Sequence, residues 1–407
     1  MPYIAGMTTS IIITLCILIL LAYLFDLSSA KTRIPSVILL LLLGWIIKQL
    51  TVFFNVVVPD LSSLLPILGT IGLILIVLEG SLELELDKSK LPMVRKAFFV
   101  SFFPILAVGL ILAGLLSYYS GYGFKQSLVN VIPLAVISSA IAIPTAKNLK
   151  TYDREFVTYE SSLSDIVGVI FFNFIALNAV IDGHAFFEFG WQLLLILIVS
   201  FFATVGLSYL LGRINHHIKF IPIMVMLILI YTISKIYHLP SLLFILLFGI
   251  FLGNLDALKK YKYIALLKPD NLDKEVHKFR EIATEAAFVI RTFFFILFGY
   301  LLETADLVNL QTLLWAGIVV ATIFLIRAIQ LKISGLPLFP LLFLAPRGLI
   351  TILLFLSILP EDRIPLVDNS LIIQVIVLTA LIMMGGMMGV KKEKPVHHKP
   401  AHEDSHT

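Results

Sequence analysis

Long apolar runs separated by short polar breaks occupy the chain from its beginning to about residue 390. A bilayer core is crossed by about 20 helical residues, and thirteen runs have the necessary length. They lie near 7–26, 34–52, 62–80, 92–118, 127–148, 157–181, 190–212, 218–236, 240–256, 284–302, 311–332, 337–359 and 368–389, with His238 and Pro240 dividing the stretch 218–256 into two. Within lipid every backbone N–H and C=O needs an internal partner, so such runs are helices. The pattern predicts an all-α polytopic membrane protein of about 13 transmembrane helices. From Lys391 onward the sequence is polar and carries His397, His398, His402 and His406. We read 391–407 as a disordered cytoplasmic tail, the alternative being a pH or metal role for its histidines.

Charge placement sets the orientation. With loops assigned alternately and the N-terminus outside, only Lys48, Lys125, Lys235 and Arg363 of the 30 Lys and Arg fall on the outer side. Arg291, Arg327 and Arg347 lie inside spans, and the rest are cytoplasmic, among them Lys31, Lys88, Lys90, Arg95, Lys147, Lys150, Arg154 and Arg213. A miscounted span would mix the two sides, so the partition supports thirteen helices with the C-terminus cytoplasmic. The loop 257–283 is also basic and reads as an amphipathic helix on the cytoplasmic surface. The run at 11–25 has no basic stretch before it and no small-residue cleavage site, which marks a retained helix rather than a signal peptide.

Composition agrees. Of 407 residues, 59% are hydrophobic and 14% charged, with a mean hydropathy of +1.02; a soluble domain of this kind could not cover its surface with polar groups. The net charge of +4 is a matter of topology and not of nucleic-acid binding. Cys16 is the only cysteine, which excludes an internal disulfide and a cysteine metal site.

Ionisable residues at helix centres cost about 2.5–3.5 kcal/mol each on insertion scales, so those present carry information. Asp165 lies in the sixth span, in Glu160-Ser161-Ser162-Leu163-Ser164-Asp165-Ile166-Val167. Its flanks are apolar and no basic residue stands at i±3 or i±4, which suits a site where a proton and a cation alternate. Glu160 sits nearer one end of that helix and Arg327 inside the eleventh span, a combination expected to tie two helices together as an ion pair. Arg347 follows Pro346 in the twelfth span. Two spans carry helix-breaking sequences at mid-depth: Ser138-Ser139-Ala140-Ile141-Ala142-Ile143-Pro144 in the fifth and Leu344-Ala345-Pro346-Arg347-Gly348 in the twelfth. Proline removes an N–H and clashes with the preceding turn. Broken helices at matching places in two halves mark a midplane binding site in inverted-repeat transporters. Pairing spans 1–6 with 8–13, and leaving the seventh as a linker, makes both breaks fifth in their halves.

These stretches resemble the monovalent cation:proton antiporter superfamily, most closely its sodium/proton exchanger (NhaP/NHE-like) branch. Glu160-Ser161-Ser162-Leu163-Ser164-Asp165 is similar to that branch's Glu-Ser-Leu-x-Asn-Asp, and Ala345-Pro346-Arg347-Gly348-Leu349 to its Gly-Leu-Arg-Gly-Ala. Arg327 sits where the branch keeps a basic residue. Arg33-Ile34-Pro35-Ser36-Val37 and Gly80-Ser81-Leu82-Glu83-Leu84 match early superfamily motifs. The resemblance implies a fold of inverted repeats with two broken helices crossing at mid-membrane. It implies a membrane domain over 1–390, with core helices at about 92–181 and 311–389 and dimerisation helices at about 7–80 and 218–302. The helix at about 190–212 links them, and the assembly is a homodimer. Asp165 binds Na+ and the proton in competition, Glu160 and Arg327 pair in the core, and Arg347 balances the dipoles at the broken twelfth helix. Oxygen ligands suit a hard monovalent cation, so Ser164, the Ser138 and Ser139 hydroxyls and freed carbonyls near Ala140 and Ile141 are expected to complete the shell.

Three departures bear on mechanism. Ser164 replaces the asparagine before the aspartate, and the second aspartate of electrogenic members is absent, which favours electroneutral one-for-one exchange. The Ser138-Ser139-Ala140 stretch looks more like the potassium-efflux branch. The expected function is therefore Na+ or Li+ exchange for H+ across a cell (inner) membrane, with K+/H+ exchange as the alternative and no cofactor. A membrane-embedded enzyme would need a nucleophile–base pair or metal ligands in a span; His184, His216, His217, His238 and His277 all fall in loops or at span ends. A passive cation channel would lack proton coupling.

Overall fold

A computed structural model describes residues 2–32, 34–84, 89–146, 149–178, 182–214, 218–255 and 269–390. The described residues form helices, turns and one 3-10 turn at Pro360–Asp362, with no strand among them. The helices are α1 (Pro2–Thr32), α2 (Ser36–Phe53), α3 (Leu64–Leu82), α4 (Leu91–Ser120), α5 (Phe124–Ala135), α6 (Ser139–Ala146) and α7 (Thr151–Leu177). There follow α8 (Gly183–Arg213), α9 (Phe220–Ile236), α10 (Leu242–Gly253) and α11 (Pro269–Leu301), then a single turn at Thr304–Leu307. The chain closes with α12 (Leu310–Ile333), α13 (Leu349–Leu356) and α14 (Asn369–Met388).

Ten of these elements, with α5 and α6 taken as one, are long and apolar enough to cross a membrane, and α9 and α10 are shorter apolar helices. With the broken element that contains α13 they correspond in order to the thirteen predicted spans. Helix starts follow ordinary capping chemistry. Asp182 accepts from Ala185 N at 2.9 Å before α8, Asp368 from Leu371 N at 2.9 Å before α14, and Asn309 from Gln311 N at 3.1 Å before α12. Gly121, with φ +72°, ends α4. The outward faces are apolar. Ile12, Leu20 and Leu24 on α1 and Phe186, Phe187, Trp191, Phe201 and Phe202 on α8 are exposed, a surface that lipid rather than water can cover.

Two elements differ from the sequence expectation. The twelfth span is helical only from Leu349; 336–348 is irregular, with a bend and turns at 338–343 and no regular structure from 344 to 348. Pro337, Pro340 and Pro346 each remove an amide hydrogen there, so no regular ladder can form. The basic connector 257–283 is not a separate surface helix over its second half. Pro269 opens α11, which runs unbroken to Leu301, and no proline or glycine interrupts it before Gly299. Residues 256–268 and the His-bearing tail 391–407 lie outside the described residues, as do Lys88, Lys147, His216 and His217.

Packing places the breaks at the centre. Helix α11 lies against α2 and α3, and α10 against α3 and α8. Helix α4 packs on α5, α7 and α12, while α12 packs on α14 and α6 on α7. Helix α3 touches α6, α7 and α13, so it borders both broken elements. The α2–α11 contact is backbone on backbone. A Cβ at Gly44 would stand 2.1 Å from Ile296 O, and one at Gly299 would stand 2.2 Å from Leu41 O. Small residues that allow such approach are the usual means of joining helices in lipid.

Because backbone atoms cannot retreat as a side-chain tip can, Gly299→Leu is expected to destabilise the protein by about 3 kcal/mol or more. Thermal unfolding in detergent measures this, and an unchanged midpoint would contradict the close approach.

Candidate cation and proton site

Three residues without helical geometry, Val136–Ser138, separate α5 from α6. There the chain meets the second broken element. Ser138 N donates to Pro346 O at 2.9 Å. Gly348 lies against α6 so closely that a Cβ on it would stand 2.7 Å from Ile141 Cδ1 and 2.9 Å from Ser138 Oγ; glycine is needed there for the approach. The fifth and twelfth spans therefore touch at their breaks.

Helix α7 brings its carboxylate to this point. Asp165 is 2% exposed, and its Oδ2 accepts a hydrogen bond from Ser139 Oγ, in the first turn of α6. Asp165 Oδ1 has no hydrogen-bond partner among the described residues, and neither has the buried Ser138 Oγ. Ser164 is used differently: its Oγ accepts from Ile137 N at 2.9 Å and so holds the extended stretch against α7. Ala140 and Ile141 belong to the first turn of α6. Pro144 has no amide hydrogen for Ala140 O, so that carbonyl is free of its helical bond. Ile141 O accepts from Thr145 Oγ1 at 2.7 Å. Asp165, Ser138 and Ser139 thus bring side-chain oxygens to one crossing, while the Ser164 and Ile141 oxygens already have partners. Hard monovalent cations are bound by oxygen sets of this type.

The buried guanidinium groups lie to the side. Arg327 makes a two-pronged contact with Glu160, Nη1 to Oε1 at 2.5 Å and Nη2 to Oε2 at 3.0 Å. It also donates to Leu341 O from Nε at 2.9 Å and from Nη2 at 2.7 Å. One side chain of α12 therefore ties α7 to the turns before α13. Arg347 makes no carboxylate contact among the described residues. Its Nε donates to Leu134 O at 2.8 Å and its Nη2 to Ala135 O at 3.2 Å, at the carbonyl end of α5. Nη1 donates to Ala345 O at 2.7 Å, and its own amide donates to Thr379 Oγ1 at 3.1 Å. A positive charge there faces the negative end of the α5 dipole and occupies carbonyls that the break leaves without amides. Arg291 lies in the middle of α11 and is half-buried.

Two cavities approach Asp165 from opposite ends of α7. One, of about 380 Å³, is lined by Glu83, Lys90, Ile143, Arg154, Thr158 and Tyr159 among others. The other, of about 410 Å³, includes Val129, Val169, Asn173, Tyr231, Lys235 and Asp362 in its wall. Asp165 falls between these two stretches of α7 and lines neither cavity.

Sequence reading passed over several polar residues that shape this centre. Thr379 holds the Arg347 amide. Asn130, buried in α5, donates to Asp362 O at 2.6 Å and accepts from Ile364 N at 3.2 Å. Gln374 donates to the carbonyls of Asp306 and Asn309. Glu79 is a further carboxylate within α3, half-buried. Each is a polar residue inside an apolar run, and that was the available signal.

Comparisons with known proteins bear on the family and the fold. The family model described as sodium/hydrogen exchanger, transmembrane, matches residues 16–389. The structure resembles the solved structure of the sodium proton antiporter MjNhaP1 from Methanocaldococcus jannaschii at pH 8, with a TM-score of 0.68 and 18% identity over 93% of this chain and 99% of that one. It likewise resembles the structure of the same antiporter from an electron-microscopy map, with a TM-score of 0.66 and 18% identity over 95% of this chain and 99% of that one. No curated protein matches the chain by sequence.

Glu160→Gln or Arg327→Met alone leaves an unpaired buried charge and is expected to cost about 3–5 kcal/mol, with the double change costing less than either single one. Detergent melts of the three variants measure this; equal damage in all three would argue against the coupling.

Proposed function

The chain belongs to the sodium/hydrogen exchanger family of cation/proton antiporters, and from that premise we propose that it exchanges Na+ or Li+ for H+ one for one by alternating access, with Asp165 as the shared site. The observation that carries the proposal is Asp165 itself: buried, hydrogen-bonded by Ser139, and free of any basic partner among the described residues. A charge so placed has to be neutralised by something that comes and goes. A proton does this on Oδ1. A cation does it with the Ser138 and Ser139 hydroxyls and the Ala140 carbonyl as further ligands. Only the two neutralised forms can cross between outward-facing and inward-facing states, which couples the flows. A single such carboxylate, with Glu160 tied to Arg327, supports electroneutral exchange.

Arg347 holds the first break open by occupying the α5 carbonyls, so that the helix end does not itself demand a cation. The cavity near Arg154 opens to the cytoplasm and the one near Asp362 to the outside of a cell (inner) membrane, with the N-terminus outside. The helices about 92–181 and 311–389 form the moving core. They slide against the helices about 7–80 and 218–302, which also form the homodimer contact. The MjNhaP1 likeness supports Na+ as the cargo. The Ser138-Ser139-Ala140 stretch favours K+/H+ exchange as a second reading.

In proteoliposomes, Asp165→Asn is expected to abolish cation-driven proton movement while the wild type responds to Na+ and Li+. Retained transport in the variant would remove the assignment, and a response confined to K+ would select the second reading.

A further inference from the structure

Ser162 has no place in the site described so far. It lies one helical turn before Asp165 on α7, so the two side chains share a face. It is 2% exposed, and its hydroxyl has no hydrogen-bond partner among the described residues. Serines inside helices usually donate back to the i−4 or i−3 carbonyl, as the neighbouring Ser161 does to Val157 O at 2.8 Å. Ser162 does not. A buried hydroxyl left unmatched is destabilising, so its presence here needs a reason.

The surroundings supply one. Helix α3 faces Ser162 with Gly80. A Cβ on that residue would stand 3.1 Å from Ser162 Oγ and 3.4 Å from Ile143 Cδ1. Ile143 is itself in the wall of the cavity near Arg154, together with Thr158 and Tyr159 of α7. Gly80, Ile143 and Ser162 therefore make up one layer between that cavity and Asp165. Of these three residues only Ser162 carries a side-chain oxygen. Gly80 leaves it room, where alanine would press on the hydroxyl.

We infer that Ser162 is a staging ligand for the dehydrating cation on the way between the Arg154 cavity and Asp165, with Gly80 keeping the passage open. The inference rests on the proposed antiport at Asp165 and adds a residue that acts from one face only. A cation arriving through the Asp362 cavity reaches Asp165 without passing Ser162, whereas one arriving through the Arg154 cavity exchanges water for the Ser162 oxygen first.

The test is Na+-dependent proton movement by the full-length protein in membrane vesicles of both orientations. Ser162→Ala is expected to raise KM for Na+ about five-fold at the Arg154 face, the effect of one lost oxygen ligand. KM at the Asp362 face and the maximal rate should be unchanged. Gly80→Ala, which keeps the hydroxyl but crowds it, should give the same one-sided rise. KM values unchanged at both faces would overturn the inference and leave antiport at Asp165 standing. Equal rises at both faces would also overturn it, by reducing Ser162 to packing around Asp165. Absence of proton movement in the wild type with Na+, Li+ and K+ alike would refute the antiport reading, and the staging role with it.

Discussion

A carboxylate in the interior of a bilayer protein has to be neutralised, because neither lipid nor packed side chains can solvate its charge. Two carboxylates on α7 meet this constraint in opposite ways. Glu160 is held by Arg327 in a two-pronged contact that also fastens the turns before α13 through Leu341 O. Asp165, little more than a turn away, has a serine hydroxyl on one oxygen and no partner among the described residues on the other. The first is a fixed fastening. The second is chemically unfinished, and the proposed exchange follows from the need to finish it with a proton or a metal ion.

The backbone around Asp165 faces the same requirement. Breaking two helices at mid-depth releases carbonyls and amides that only protein can satisfy. Arg347 takes the carbonyls of Leu134 and Ala135, Ser164 takes the Ile137 amide, Thr379 takes the Arg347 amide, and Ser138 N bonds across the crossing to Pro346 O. What remains near Asp165 is a small set of oxygens without amides to bind. The crossing is thus held by many connections and still leaves unpartnered oxygens, the character that the proposed cation site requires.

Much of this was legible in the residues. Thirteen apolar runs with a one-sided distribution of Lys and Arg indicated the membrane helices, and Pro144 and Pro346 indicated the interrupted spans. Asp165 stood out because Ile166, Val167, Ile170 and Phe171 surround it without a nearby cation. What escaped was set by neighbours distant in sequence. The Ser164 hydroxyl is engaged by an amide 27 residues earlier, which no local pattern reveals. Ser161 and Ser162 look alike in sequence, yet one bonds within its own helix and the other faces Gly80. Three prolines within ten residues leave the whole first half of the twelfth span irregular, where the sequence marked a break only around Pro346. Asn130 and Gln374 drew no reading from the sequence, because the loops they hold, at Asp362–Ile364 and Asp306–Asn309, are distant along the chain.

The central claim is that proton and cation occupy Asp165 in turn. Proton release on adding NaCl to the purified protein in weakly buffered detergent solution measures this directly, without depending on vesicle orientation or conformational rates. The account predicts close to one proton released for each Na+ bound, and none from Asp165→Asn. Saturable Na+ binding without proton release, or release that survives in that variant, would contradict it.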